Sequence, residues 1–173
     1  MGYFFTADEH YSHAKIIEYT NRPFSSVEEM NAQIIKRHNE IVTPQDITIH
    51  AGDFCFGNKK DAEAILRKLN GNHVLLRGSH DSWMGGSYHE VWTKTLNGQP
   101  IVVCHYAGRV WHKSHYNSWQ LFGHSHGGLP PIGKQWDIGV DNNNFYPFSL
   151  DKIEAIMSKQ PNNFNFLRNK EQR

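Results

Sequence analysis

The stretch LFGHSHGG, residues 121–128, joins a short apolar run to two histidines that are separated by one residue. The apolar residues are typical of a buried strand, and Gly123 lets the backbone turn tightly where that strand ends. Histidine is the commonest metal ligand and a frequent acid–base group. We therefore expect His124 and His126 to reach into one cavity, either to one metal ion or to two neighbouring ones.

The same kind of strand ending recurs along the chain. The other predicted strands end in Asp8-Glu9-His10, Gly52-Asp53, Gly78-Ser79-His80-Asp81 and Cys104-His105. A single Asp after a strand is typical of a helix cap, and a single His is typical of a satisfied polar side chain. Ligands of α/β sheets bind beyond the carboxyl ends of the strands, so five such endings favour one shared site.

The hydrophobic pattern predicts an α/β fold. Strands alternate with helices in the first half, with a strand at about Tyr3–Ala7 and a helix near Ala14–Tyr19. Later, HEVWTKTLNGQPIVVCHY predicts two strands joined by a turn at Asn97–Gly98, and SLDKIEAIMSKQ predicts a closing amphipathic helix. Mixed sheets packed between helices fit this order. We expect one domain over residues 1–173, with the polar RNKEQR end (168–173) frayed.

Composition limits the class of protein. Hydrophobic residues make up 38% of 173 residues and the formal net charge is +1, so the chain is globular and no bulk field favours nucleic acid. Two cysteines are too few for a disulfide framework, so we expect a cytoplasmic protein. No apolar run approaches the ~20 residues that span a bilayer, and we expect neither a secretion signal nor a membrane partner.

The donor atoms of these endings indicate the kind of metal. Carboxylate oxygen and imidazole nitrogen together suit divalent Mn, Fe, Zn, Co or Ni. Cys55 and Cys104 are not in a CxxC pair, so a thiolate site is not indicated. Asp8 and His10 can point the same way from an extended segment, as can His124 and His126.

The motifs D-x-H, G-D, G-S-H-D, H and G-H-x-H, taken in order from Asp8 to His126, resemble those of the calcineurin-like metallophosphoesterases. The later stretch DIGVDNNNFYPFSLDKI is similar to the tail of small bacterial and phage members, so the resemblance covers most of the chain. It implies two mixed β-sheets packed as a sandwich and flanked by helices, in four layers.

The resemblance also implies a dinuclear centre that holds two divalent ions, with Mn expected. The implied ligands are Asp8, His10 and His126 for one metal, Asp53 as the bridge, and Ser79, His105 and His124 for the second. His80 would face the substrate as the catalytic proton donor, and Asp81 would orient His80.

Ser79 departs from the family pattern, which has Asn at this position with its amide oxygen on the second metal. A serine hydroxyl is shorter and is usually a poorer ligand. The departure predicts weaker occupancy of the second metal site, or a water in place of the amide.

These observations predict a metal-dependent phosphoesterase in which a hydroxide held by the metals attacks phosphorus. We expect diesters to be preferred over monoesters, and a small, nucleotide-like phosphoester as substrate. The alternatives are a phosphomonoesterase, a weakened relative that binds phosphorylated ligands without useful turnover, and a protein with one structural metal.

The sequence of residues 105–120 has two interpretations. HYAGRVWHKSHYNSWQ, residues 105–120, interleaves aromatic residues with positive charge, a pattern that can stack bases and hold phosphates. The same tryptophans can fill a satellite core instead. Because the segment joins two ligand-bearing strands, we expect it to lie near the cleft.

Overall fold

The computed structural model describes residues 1–86 and 88–167. Its strands are β1 (Tyr3–Thr6), β2 (Ile47–His50), β3 (Asn72–Leu75), β4 (Val91–Leu96), β5 (Gln99–Cys104), β6 (Trp119–Phe122), β7 (Gln135–Asp137) and β8 (Phe148–Ser149). Its helices are α1 (Ala14–Tyr19), α2 (Val27–Ile41), α3 (Lys59–Leu66) and α4 (Leu150–Lys159). The polar end predicted to fray, residues 168–173, lies outside the described residues.

The strands form two mixed four-stranded sheets. The first sheet has the order β3-β2-β1-β8, in which β8 alone runs antiparallel to its neighbour. The second sheet has the order β4-β5-β6-β7, in which β4 and β5 form the predicted antiparallel hairpin and the other pairs are parallel. This confirms the predicted α/β class with two mixed sheets.

The period of two along each strand assigns its faces. In β2, Ile47 and Ile49 point into a core shared with Val103 and Leu121 of the second sheet. Its alternate residues Thr48 and His50 are buried on the opposite face. A second core, which includes Met30 and Ile34 of α2 and Ala62 and Ile65 of α3, lies beside the first sheet.

The third strand is shorter than the sequence predicts. It ends at Leu75, whereas the sequence predicts a strand that continues to Gly78. The next residue, Leu76, still donates to the His50 carbonyl but forms an isolated bridge with His89. The chain therefore leaves β2 before the glycine, and residues 78–81 belong to a loop.

The carboxyl ends of the parallel strands from both sheets meet at one edge of the sandwich. The Val140 amide donates to the Ala7 carbonyl at 3.0 Å, which joins the end of β1 to the segment after β7. His105, directly after β5, reaches the Ala51 carbonyl after β2 at 2.9 Å. The sheets are thus tied together where the predicted ligands lie.

Over residues 1–86 and 88–167, none of the helices combines the length and the apolar character needed to cross a bilayer.

Candidate metal centre

Six of the predicted ligands form two compact groups. Site A consists of Asp8, His10 and His126, and site B consists of Asp53, His105 and His124. Within each group the ligand atoms lie within 4.8 Å of one another. The two histidines of GHSH therefore serve different groups.

Asp53 lies between the two sites. Its Oδ2 is 3.4 Å from His105 Nε2 of site B and 3.7 Å from His10 Nε2 of site A. Its Oδ1 accepts a hydrogen bond of 2.8 Å from the His80 amide, which fixes the carboxylate plane. One carboxylate is thus positioned to contact a cation in either site.

Hydrogen bonding sets the tautomer of two imidazoles. His105 Nδ1 donates to the Ala51 carbonyl, which can only accept, so its Nε2 carries the free lone pair. His126 Nδ1 donates to Asp141 Oδ2 at 2.8 Å, which likewise leaves Nε2 for a ligand. A histidine ligand held through its second nitrogen is typical of protein metal sites.

Asp141 is held in turn by Arg22. The guanidinium binds both carboxylate oxygens at 2.8 Å and also donates to the carbonyls of Asp8 and Glu9. Arg22 is 5% exposed, so these bonds form away from water. One buried cation therefore ties the β1 loop to the partner of His126.

The pKa shifts of the candidate ligands mostly favour a bound cation. Burial lowers the pKa of His10 to about 3, so its imidazole is neutral at physiological pH. Burial would raise the pKa of Asp53, but the nearby His105 ring and the hydrogen bond from the His80 amide hold it well below its usual range. Burial raises the pKa of Asp8 well above its usual value, a cost that a bound cation would offset. Although burial opposes it, the Asp141 hydrogen bond raises the pKa of His126.

The residues present fit a pair of divalent cations. The Nε2 atoms of His10 and His105 are buried and have no hydrogen-bond partner in the described structure. Buried polar atoms are nearly always satisfied, so two orphaned ring nitrogens facing one carboxylate indicate missing electrophiles. Neutral imidazole and ionised carboxylate are the forms that bind metals.

Ser79 and His80 lie at the rim of this arrangement, and both are exposed. The Ser79 hydroxyl donates to the Asp53 carboxylate, with Oγ 3.1 Å from Oδ2. His80 lines the cavity in front of both sites, and its ring centroid is 5.4 Å from that of His10. The cavity measures about 1000 Å³.

Asp81 has partners other than the predicted one. Its carboxylate is fully buried and accepts from the Gly78 amide at 2.8 Å and from the Asp53 amide at 2.7 Å. It also accepts from the Phe54 amide and the Trp83 indole. The expected orienting contact with the His80 ring is therefore wrong, because the carboxylate turns inward to satisfy backbone donors that no strand pairs.

The aromatic segment at residues 105–120 contributes both to a core and to the site. Trp119 packs against the core between the sheets, and the Trp111 indole donates to the Ser118 carbonyl. His105 of this segment belongs to site B, and Tyr106 also reaches the site, with its ring 4.8 Å from that of His124. The interpretation as a core residue therefore describes Trp119.

His50, at the end of β2, is buried and hydrogen-bonded. Its Nδ1 lies 2.6 Å from Glu9 Oε1 and its Nε2 lies 3.0 Å from His73 Nδ1. Sequence reasoning did not connect it to His73 or to His38, whose ring centroid lies 6.2 Å from that of His50. It also missed Arg22, because no motif surrounds that residue.

Comparison with known proteins places the chain in a family. No protein-family model matches it. It is 33% identical over 162 residues to the uncharacterized protein MJ1445 of Methanocaldococcus jannaschii, covering 88% of this chain and 89% of that protein. The solved structure of AQ665 from Aquifex aeolicus, a protein of unknown function, shares the fold with a TM-score of 0.66, 20% identity and coverage of 90% and 98%.

Two other solved structures align more loosely. A Vps29 variant from Entamoeba histolytica has a TM-score of 0.47 and 18% identity, over 80% of this chain and 73% of that one. A predicted phosphoesterase from Streptococcus pneumoniae has a TM-score of 0.40 and 14% identity, over 79% and 70%. The chain therefore belongs to the same family as MJ1445.

Proposed function

We propose that this protein is a metal-dependent phosphoesterase that hydrolyses small phosphodiesters in preference to monoesters. The observation that carries the proposal is the pairing of sites A and B across Asp53, with two buried imidazole nitrogens that lack partners. When bound, two divalent cations, with Mn²⁺ expected, would supply a water of lowered pKa and offset the negative charge that grows on the phosphoryl oxygens.

Other residues of the chain hold two of the proposed histidine ligands in fixed orientations. Arg22 and Asp141 fix the ring of His126, and the Ala51 carbonyl fixes that of His105. Such fixed ligands need no reorganisation when charge develops in the transition state.

His80 is the residue that acts on the leaving group. Its backbone amide is bound to Asp53, which places the residue beside both sites, while its side chain is exposed in the cavity. From there the imidazole hydrogen-bonds the leaving oxygen and gives it a proton. No side chain has to act as a covalent nucleophile.

The charge of the cavity supports the preference for diesters. Among the described residues that line it, Lys15 is the only lysine or arginine. A diester carries one negative charge, whereas a monoester at neutral pH carries nearly two. A cavity with one amine besides the metal sites matches the smaller charge.

The test is a metal-removal and restoration experiment. Chelated protein should lose hydrolysis of bis(p-nitrophenyl) phosphate and recover it with Mn²⁺, and kcat/KM should exceed that for p-nitrophenyl phosphate. Asp53→Asn should abolish the activity, whereas Asp151→Asn, at an exposed position on α4, should leave it unchanged. Activity that survives thorough metal removal would overturn the proposal, and a faster monoesterase reaction would overturn the diester preference.

One observation favours a second candidate, a relative that binds phosphorylated ligands with little turnover. The hydroxyl of Ser79 is hydrogen-bonded to Asp53, so site B has a short, weak donor where the family has an amide. In the same assay, Ser79→Asn should then bind more Mn²⁺ and turn over faster than the natural chain. Equal metal content and equal rates in both would exclude this candidate.

A further inference from the structure

Three rings form a wall on one side of the cavity, and we call Phe56, His13 and Tyr19 the aromatic wall. Phe56 and His13 stack with centroids 4.2 Å apart and planes inclined by 16°. Tyr19 stands edge-on to His13 at 6.3 Å. All three line the same cavity as sites A and B.

Two rings of the wall expose apolar surface to solvent instead of packing into a core. Phe56 is 49% exposed and Tyr19 is 66% exposed, although buried cores adjoin both segments. The backbone beneath Phe56 is fixed, because its amide donates to the Tyr11 carbonyl at 2.8 Å and Tyr11 bridges Cys55. A rigid aromatic surface beside a reactive cavity is typical of a ligand subsite.

The position of the wall identifies which part of a substrate it would meet. The ring of His80 lies 5.5 Å from that of Phe56 and 5.9 Å from that of His13. In the proposed function, on which this step rests, His80 contacts the leaving oxygen. The group attached to that oxygen must therefore extend over Phe56 and His13.

We propose that the aromatic wall binds a flat aromatic ring in the leaving group, and that Phe56 is the specificity-determining residue. The substrates are then phosphodiesters whose departing alcohol carries an aryl group or a nucleobase. In the reaction the oxygen of water joins phosphorus, the bond from phosphorus to the ester oxygen breaks, and the alcohol leaves with a proton. Every base or aryl ring has a π-face, so stacking selects for an aromatic ring rather than for one particular base.

The test compares esters whose leaving alcohols have similar acidity. The metal-loaded protein is given the methyl phosphodiesters of benzyl alcohol, cyclohexylmethanol and thymidine (through its 5′ oxygen), and the released alcohols are separated. We expect benzyl alcohol and thymidine to be released rather than methanol. We expect kcat/KM for the benzyl ester to be about tenfold above that for the cyclohexylmethyl ester, the effect of one stacked ring. The benzyl and thymidine arms distinguish an aryl group from a nucleobase.

Variants assign the effect to Phe56. Phe56→Ala should bring the benzyl to cyclohexylmethyl ratio close to one, while Phe56→Trp should retain it. Phe164→Ala removes a phenylalanine that is 57% exposed and does not line the cavity, so it should leave the ratio unchanged. Circular dichroism checks that each variant is folded.

A failure of this inference can be distinguished from a failure of the proposed function. A ratio near one in the natural chain, or an unchanged ratio in Phe56→Ala, overturns the inference while hydrolysis of the esters leaves the proposed function in place. If no ester is hydrolysed, the proposed function fails, and calorimetry with benzylphosphonate and cyclohexylmethylphosphonate decides on the wall. Equal affinities for the two phosphonates would then reject it.

Discussion

At the scale of single residues, five of the six candidate ligands adopt a backbone conformation that residues other than glycine rarely take. Positive φ angles between +47° and +70° occur at Asp8, His10, Asp53, His124 and His126. Such conformations cost about 1 kcal/mol or more each and concentrate at functional sites. Asp8 and His10 lie in one site, but the predicted extended segment between them is wrong, because both residues have positive φ.

Two glycines make these turns sterically feasible. A Cβ at Gly78 would lie 2.2 Å from Asp53 Oδ1, and one at Gly123 would lie 2.7 Å from Asp8 Oδ2. Gly78 and Gly123 thus each allow a carboxylate to lie against the backbone.

Asp141 carries a prediction at this scale. Asp141→Asn removes the charged acceptor of His126 Nδ1 and one partner of Arg22, so the ring loses its fixed orientation. We expect Mn²⁺ affinity to fall about 10- to 100-fold, as for other residues that orient a histidine ligand. Calorimetric titration measures it, with Asp151→Asn as the control. An unchanged affinity would show that His126 needs no such support.

At the scale of elements, one buried carboxylate joins two loops. Asp81 accepts from the amides at the end of β2 and from the Gly78 amide after β3, so it shapes both loops that carry Asp53 and His80. These amides have no strand partner, and a buried unpaired donor is costly. The geometry of these loops therefore depends on Asp81, although Asp81 does not line the cavity.

Asp81→Asn tests this role against the role of His80. We expect Asp81→Asn to lower the free energy of unfolding by about 2–4 kcal/mol, since several charge-assisted bonds weaken together. His80→Asn should leave stability nearly unchanged and lower kcat, because the His80 side chain is exposed. Urea unfolding and steady-state kinetics separate the two. The reverse pattern would restore the interpretation of Asp81 as a residue that acts through His80.

At the scale of the whole molecule, a buried polar cluster responds to pH. Burial lowers the pKa of His50 to about 3 and the pKa values of His38 and His73 to about 4. Burial raises the pKa of Glu9, which bonds to His50, to about 7.

The histidines and Glu9 change the free energy of unfolding in opposite directions as the pH falls. Each histidine is neutral when folded but binds a proton in the unfolded chain below about pH 6.5, so its contribution to stability is lost as the pH falls towards 4. Glu9 holds a proton when folded at pH values where the unfolded carboxyl has released it, so its contribution grows as the pH falls from 7.

His38→Gln isolates one part of this balance. It keeps an amide that can donate to the Asn70 carbonyl but removes a titrating ring. For the chelated protein, we expect the slope of unfolding free energy against pH to be smaller than in the natural chain by about 1 kcal/mol per unit between about pH 4.5 and 6. Urea unfolding at several pH values measures the slope, and the exposed His112→Gln is the matched control. Equal slopes in His38→Gln and the natural chain would contradict the buried, neutral state of His38.

The sequence by itself determined the class of fold and the identity of six metal-ligand candidates. The alternation of side-chain faces along each strand and the glycine that ends it are local patterns. Such patterns can be recognised in consecutive residues. The order of the motifs then placed Asp8, Asp53 and His124 at strand ends that share one edge of the sheets.

Only the tertiary structure decided which residues support each imidazole and its neighbours. The bond between Arg22 and Asp141, the inward turn of Asp81 and the stacking of Phe56 on His13 all join residues from different segments. Such partners are selected by how the two sheets and the loops between them pack, because a buried donor or acceptor takes whichever group the fold brings within reach. The identity of these partners follows no periodic pattern along the chain, so it could not be predicted from the sequence.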